Sequence, residues 1–95
     1  MFEWDEAKRR LTIEKHGIDF VDAAEILVGP HLLLEARSDL EQRQIAIGRL
    51  SGATIAVIFT MRGGNYRIIT ARRARTNERR YYEAAFAGRD PEDAQ

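Results

Sequence analysis

The chain has 95 residues, no cysteine and a formal net charge of zero, because 15 lysines and arginines balance 15 aspartates and glutamates. A chain of this length predicts a single domain, and the absence of thiols excludes disulfides and cysteine-ligated zinc or iron–sulfur sites. The acidic N-terminus does not resemble a signal peptide, and the longest apolar run, residues 55–59, is too short to span a membrane. We therefore expect a cytoplasmic protein that makes no contact with a membrane.

Two short helices are predicted in the N-terminal third. Asp5 is a candidate N-cap for the first helix, on which Ala7 and Leu11 share one face. Residues 15–17, Lys-His-Gly, predict its end, because cations favour the negative helix terminus and glycine accepts the left-handed conformation. Asp19 is a candidate N-cap for the second helix, and a Gly-Pro pair follows the predicted end of that helix. Its expected apolar residues are Phe20, Ala23, Ala24 and Leu27.

The middle of the chain changes from helical to strand periodicity. Residues 31–36 and 66–71 are short strand candidates, and residues 43–50 alternate between apolar and polar side chains. Residues 54–61 are almost continuously apolar, which predicts a central strand that is buried on both faces. Short glycine-containing turns separate the last three of these segments, so we expect the neighbouring strands to be antiparallel.

The last helix is predicted to have Thr76 as its N-cap and to run to about Ala87, where Gly88 ends it. We expect one α+β domain over residues 1–88, in which two N-terminal helices precede an antiparallel meander of three to four strands and a C-terminal helix. Helices packed on one face would leave the other face of this sheet partly open. Residues 89–95 are predicted to be a disordered acidic tail.

Charge is distributed unevenly along this neutral chain. Residues 1–41 carry ten acids and five bases, residues 42–80 carry one acid and nine bases, and residues 81–95 carry four acids and one base. Seven arginines fall within residues 62–80. Arginine binds phosphate through a planar fork of donors and stacks on bases, so the cluster indicates a nucleic-acid partner. The alternative is that the opposite charges pair within the fold.

Cleavage of RNA without a metal requires few protein groups, because the 2′-hydroxyl of RNA serves as the nucleophile. A base removes the hydroxyl proton, an acid protonates the leaving oxygen, and cations stabilise the charged phosphorane. The candidate catalytic residues are Lys15, His16, Arg67, Arg72, Glu78 and Tyr82. The further candidates for RNA binding are Arg62, Arg73, Arg75 and Arg79. In this hypothesis Arg67 and Arg72 clamp the phosphate, and Lys15 or His16 protonates the leaving oxygen or assists electrostatically.

The remaining candidates each have a structural alternative. Glu78 is the one carboxylate among the clustered arginines and serves either as the base or to orient an arginine, but an acid in the first helical turn also favours the helix dipole. Tyr82 lies on the same helix face and either contacts RNA or packs in the core. His16 precedes a glycine that ends a helix, which suits a C-cap. A non-catalytic module that binds nucleic acid or an acidic protein through the same arginines therefore remains as the alternative function.

No metal or cofactor site is predicted. The two histidines, His16 and His31, are fifteen positions apart and no paired carboxylates accompany them in a ligand pattern. Residues 62–65, Arg-Gly-Gly-Asn, fall in a predicted hairpin and do not precede a helix, so they do not form a phosphate-binding loop.

The chain resembles the BrnT family of bacterial type II toxins over residues 2–83. The residues that carry the resemblance are Phe2, Glu3, Trp4, Asp5, Lys8, Lys15, His16, Gly17, Ile18, Phe20, Ala23, residues 67–72, Ala74, Glu78, Arg79 and Tyr82, with Glu41, Arg43 and Gly48 in a weaker central pattern. Thr12 and Thr70 stand where the family usually has asparagine and serine.

The resemblance implies a RelE-like fold and a ribonuclease that halts translation by cutting RNA. It also implies a cognate antitoxin of the BrnA type, with a ribbon-helix-helix domain. Operator DNA would be bound only through that antitoxin, in a complex that represses its own operon.

Overall fold

The computed structural model describes residues 1–36 and 42–86. The elements in chain order are β1 (Phe2–Trp4), α1 (Glu6–His16), α2 (Phe20–Val28), β2 (Leu32–Ala36), β3 (Arg43–Leu50), β4 (Ala53–Arg62), β5 (Asn65–Arg73) and α3 (Thr76–Ala85). The predicted end of the last helix at Ala87 and the predicted tail at 89–95 lie outside the described residues. No helix within the described ranges is long and apolar enough to cross a membrane.

The sheet has more strands than the predicted meander, and one of its strand pairs is parallel. The described residues form five strands in the order β1-β5-β4-β3-β2. β2, β3, β4 and β5 are antiparallel neighbours as expected, but β1 pairs parallel to β5 at the edge. β1 has only three residues, too few to show a period-two pattern. Its position is fixed by distant aromatic rings, because Phe2 stacks on Tyr66 and Trp4 meets Phe20 edge-on.

Helices pack on both faces of this sheet, which corrects the expectation that they share one face. α1 and α2 cover what we call the first face, where the apolar cluster includes Phe20, Val57 and Ile68. α3 packs on β2 and β3 from the opposite side, the second face, where Tyr82 joins Ile47, Ala56 and Ile58. β4 is buried on both sides, as its continuous apolar sequence predicted.

The predicted caps of the N-terminal helices are present. The Asp5 carboxylate accepts hydrogen bonds from two backbone N–H groups in the first turn of α1, and Gly17 has φ of 69° at its C-terminus. Asp19 accepts from the Val21 N–H at the start of α2. The third predicted cap is wrong by one residue, because Arg75 is the N-cap of α3 and Thr76 is already helical.

α1 buries a different face from the one that its leucine suggested. Leu11 is 54% exposed, whereas Thr12 is 5% exposed and donates its hydroxyl proton to the Lys8 carbonyl oxygen. Arg9, on the same side as Thr12, donates from Nε and Nη2 to the two carboxylate oxygens of Asp19, at 2.8 and 2.9 Å. This fork joins α1 to α2 and holds the pKa of Asp19 below its ordinary value. A polar contact therefore orients α1, which has a weakly apolar sequence.

A β-bulge in β5 sets which of its side chains share a face. Ile58 pairs with Thr70 and Phe59 pairs with Ile68, so Ile69 is an extra residue. Arg67 and Arg72 are five positions apart, and strict alternation would place them on opposite faces. The extra residue shifts the alternation by one. As a result both arginines lie on the second face, opposite Thr60 and Ala56 respectively.

Gly48 allows α2 to approach β3 closely. A Cβ atom at this position would lie 2.7 Å from Cγ2 of Ile26, which is itself only 3% exposed. We predict that Gly48→Ala lowers the free energy of unfolding by about 1–3 kcal/mol through overpacking. Urea denaturation measures this change. The same substitution should cost much less in an Ile26→Ala background, where the clashing methyl group is absent. Equal costs in both backgrounds would refute the steric explanation.

Candidate functional site

Arg72 and Glu78 form a bidentate ion pair at the junction between β5 and α3. Nη1 of Arg72 donates to Oε1 of Glu78 at 2.7 Å, and Nη2 donates to Oε2 at 2.9 Å. The side chains are 19% and 7% exposed, respectively. The hydrogen bonds from Arg72 hold the pKa of Glu78 below its ordinary value in spite of burial, which acts in the opposite direction. Both groups therefore stay charged, and the fork geometry is the strongest that arginine offers a carboxylate.

Glu78 is also part of the N-terminal cap of α3. It is the third residue of the helix, and its Oε1 accepts the backbone N–H of Arg75 at 2.8 Å. Arginine has no acceptor in its side chain, so the reciprocal half of a capping box is missing. With three donors already bound, Glu78 has little capacity left to accept a proton from a substrate. Its geometry suits orientation of Arg72 better than general-base catalysis.

Arg67 is held far more loosely than Arg72. It donates one hydrogen bond, from Nη1 to Oε2 of Glu3 at 3.0 Å, across the β1–β5 register. The two side chains are 29% and 36% exposed. Sequence reasoning missed Glu3 in this position, because it lies 64 residues from its partner and no local pattern signals such a contact. Among the described residues, Nε and Nη2 of Arg67 make no side-chain hydrogen bond.

The proposed proton donors lie on the other side of the sheet. His16, at the end of α1, and Arg73 both line a depression of about 330 Å³ on the first face. Asp22 and Glu25 of α2 border the same depression. Lys15 adjoins His16 and is exposed. The structure thus brings Arg73 towards His16 but separates both from Arg67 and Arg72 by the thickness of the sheet.

The remaining predicted residues divide by exposure. Arg75 and Arg79 are exposed at the start of α3, and Arg62 is exposed at the end of β4. Tyr82 is 4% exposed, and its ring centroid lies 4.8 Å from that of Phe86. A ring buried in this way cannot stack on an RNA base without leaving the core, so the packing alternative fits Tyr82 better. Within residues 1–36 and 42–86, no three His, Asp or Glu side chains lie together in a metal-binding group.

The chain is similar to known proteins of one family. Residues 4–78 match the family described as ribonuclease toxin, BrnT, of type II toxin–antitoxin system. The chain is also similar to the crystal structure of the Brucella abortus ribonuclease toxin BrnT, with a TM-score of 0.65 and 36% sequence identity, over 80% of this chain and 99% of that chain. No curated protein is a significant match to the chain. The family match includes β2 to β5 and ends at Glu78, so it contains both residues of the ion pair at the start of α3.

The Arg72–Glu78 pair should make stability depend on pH. The pKa of Glu78 is lower in the folded chain than in the unfolded one, so its stabilising effect is complete above the unfolded value and is lost as pH falls through the folded value. We predict that Glu78→Gln lowers the free energy of unfolding by about 1.5–3 kcal/mol at pH 7. The deficit relative to wild type should shrink at pH 3, as measured by urea denaturation at both values.

The shape of the arginine matters as much as its charge. Lysine keeps the charge but loses the fork, so we expect Arg72→Lys to destabilise the chain at pH 7 by about as much as Glu78→Gln. Arg80→Lys on the exposed face of α3 is the matched control and should have almost no effect. Equal stability of the Arg72→Lys and Arg80→Lys variants would contradict the role of the fork.

Proposed function

Because the chain belongs to the BrnT family of type II toxin–antitoxin ribonuclease toxins, we propose that it cuts RNA without a metal ion and thereby inhibits translation. We further propose that it acts in the cytoplasm and that a DNA-binding antitoxin of the BrnA type neutralises it. The observation that supports catalysis most directly is the placement of Arg67 and Arg72 on one face of β5, with the exposed Arg75 and Arg79 beyond them.

In this proposal the second face supplies electrostatic catalysis. The 2′-oxygen of RNA attacks the adjacent phosphorus while its proton passes to a base, and the 5′-oxygen leaves with a proton from an acid. The negative phosphorane formed between these steps is stabilised by arginine donors that are already in position. Arg67 contacts the phosphate, and Glu78 acts by orienting Arg72. Lys15 and His16 lie on the first face and do not transfer a proton at a phosphate held by Arg67.

The products of cleavage test the proposed chemistry. We predict that the purified protein cleaves RNA in excess chelator and leaves a 2′,3′-cyclic phosphate, since the nucleophile comes from the RNA itself. Mass spectrometry of the fragments identifies that end. Loss of cleavage on chelation, restored by magnesium, would refute the metal-free mechanism. Tight binding of RNA with no cleavage under any condition would favour the alternative of a non-catalytic module. Growth arrest on expression, relieved by coexpression of the neighbouring antitoxin gene, tests the cellular role.

The proposed antitoxin would act by covering the second face. We propose a ribbon-helix-helix protein, whose dimer would bridge two toxin chains and alone contact operator DNA. Acidic side chains would meet the arginines of residues 62–79, and apolar anchors would supply most of the affinity. Tyr82 is buried and cannot be such an anchor. Tyr81 of α3 is 56% exposed and can be one.

Salt and hydrogen exchange test this mode of neutralisation. Raising the ionic strength should slow association with the antitoxin markedly, because steering between opposite charges is screened, yet it should leave the formed complex intact. Hydrogen exchange should show protection concentrated in residues 62–82. Protection confined to α1 and α2, with cleavage still blocked, would point instead to an allosteric mechanism.

A further inference from the structure

Glu3 and Arg67 lie side by side at the β1 edge of the second face. Glu3 on β1 pairs with Arg67 on β5, and the residues on either side of it, Phe2 and Trp4, pack into the first-face cluster. Alternation along the strand therefore places Glu3 on the second face. α3 packs mainly on β2 and β3, at the other side of the sheet, and the side chains of Glu3 and Arg67 stay 36% and 29% exposed. A substrate on the second face can reach both.

The groups considered so far do not provide a base on this face. Glu78 is 7% exposed and already accepts three hydrogen bonds. Lys15 and His16 belong to the end of α1, on the first face. Among the strand residues that the structure describes, Glu3 is the one carboxylate on the second face, because Glu35 of β2 alternates with half-buried leucines of the second-face cluster and so faces the other way.

The hydrogen bond between Glu3 and Arg67 leaves each side chain able to bind a further group. It joins Nη1 of Arg67 to Oε2 of Glu3 at 3.0 Å, and within residues 1–36 and 42–86 Oε1 of Glu3 accepts no side-chain hydrogen bond. A phosphate on Nε and Nη2 of Arg67 would therefore leave Glu3 in place at Nη1. The guanidinium would then lie between the two anions, and its charge would offset their mutual repulsion.

We propose that Glu3 is the general base of the cleavage reaction and removes the 2′-hydroxyl proton beside the phosphate that Arg67 contacts. The proposal rests on the proposed ribonuclease function, since it assigns a group to one step of that reaction. In this step the bond between O2′ and phosphorus forms, and the bond between phosphorus and O5′ breaks. The 2′ proton passes to Oε1 of Glu3, O5′ takes a proton from water, and Glu3 then returns its proton to water.

The alternative role for Glu3 is to orient Arg67, as Glu78 orients Arg72. Glutamine at this position distinguishes the two roles. Its amide oxygen still accepts a hydrogen bond from Arg67, but an amide does not act as a proton acceptor in catalysis as a carboxylate does. If Glu3 is the base, Glu3→Gln should keep the binding of RNA and lose its cleavage.

The test measures cleavage and binding separately. Single-turnover cleavage of a single-stranded RNA oligonucleotide of mixed sequence gives the rate. The same oligonucleotide with every 2′-hydroxyl methylated lacks the nucleophile and gives the binding constant. We expect Glu3→Gln to lower the cleavage rate about 10²–10⁴-fold, the usual contribution of a general base. Its slope of log K against log salt should match wild type, whereas Arg67→Gln should reduce that slope by about 0.7 through loss of one phosphate contact.

Glu14→Gln, at an exposed position of α1, is the charge-matched control and should change neither the rate nor the slope. Urea denaturation verifies folding, and Glu3→Gln should unfold close to the wild-type midpoint because a half-exposed ion pair stabilises little.

The possible outcomes separate this proposal from the proposed function. Cleavage by Glu3→Gln at about the wild-type rate would overturn the base and leave the ribonuclease intact. Slow cleavage together with the reduced slope of Arg67→Gln would show that Glu3 only positions Arg67, which also overturns the base. Absence of cleavage by wild type would refute the proposed function and this step with it.

Discussion

The fork between Arg72 and Glu78 is the contact on which the second half of the structure depends. β5 ends at Arg73, and α3 begins at Thr76 with no side-chain cap from its own N-cap residue. Glu78 compensates, because one carboxylate accepts both the strand's guanidinium and the helix's orphan N–H. Hydrogen bonds to charged groups contribute about 1.5–3 kcal/mol, so this junction outweighs ordinary surface ion pairs. Tyr82, one turn further on, then enters the core of the second face.

The chain uses the same arrangement at its other helix junction. Asp19 caps α2 and receives the fork of Arg9 from α1, just as Glu78 caps α3 and receives the fork of Arg72 from β5. In each case a carboxylate that a helix N-terminus would favour anyway also fixes the direction of the preceding element. Each pair lies within one of the segments counted in the sequence, so the net charge of residues 1–41 and of residues 42–80 is unchanged by it. The arginines left exposed, such as Arg75 and Arg79, are those that remain for a partner.

The features that were predicted correctly from the sequence are those that depend on residues close together in the chain. The caps at Asp5 and Asp19, the stop at Gly17 and the doubly buried β4 follow from groups within a few residues of one another. Contacts between distant residues were not predictable in this way. The parallel pairing of β1 depends on rings far along the chain, and the placement of α3 on the second face depends on how the whole sheet is covered. Of the carboxylates that bind the clustered arginines, the sequence suggested Glu78 as one that could orient an arginine, but it gave no sign of Glu3, which lies 64 residues from Arg67.

The bulge at Ile69 shows why a cluster of charges in sequence is a poor guide to a site in space. Residues 67–73 contain three arginines, and the fold sends them to three surroundings. Arg67 joins the open end of the second face, Arg72 joins Glu78, and Arg73 turns to the first face beside His16. If β5 alternated regularly after Ile68, with no bulge, Arg72 would face the core of the first face. Ala71 would then face the second face in place of Arg72. An unpaired guanidinium in that core would cost several kcal/mol, so the bulge is required by burial before it serves any chemistry. The bulge that keeps Ile68 and Ala71 buried therefore also places Arg72 on the face where it binds Glu78.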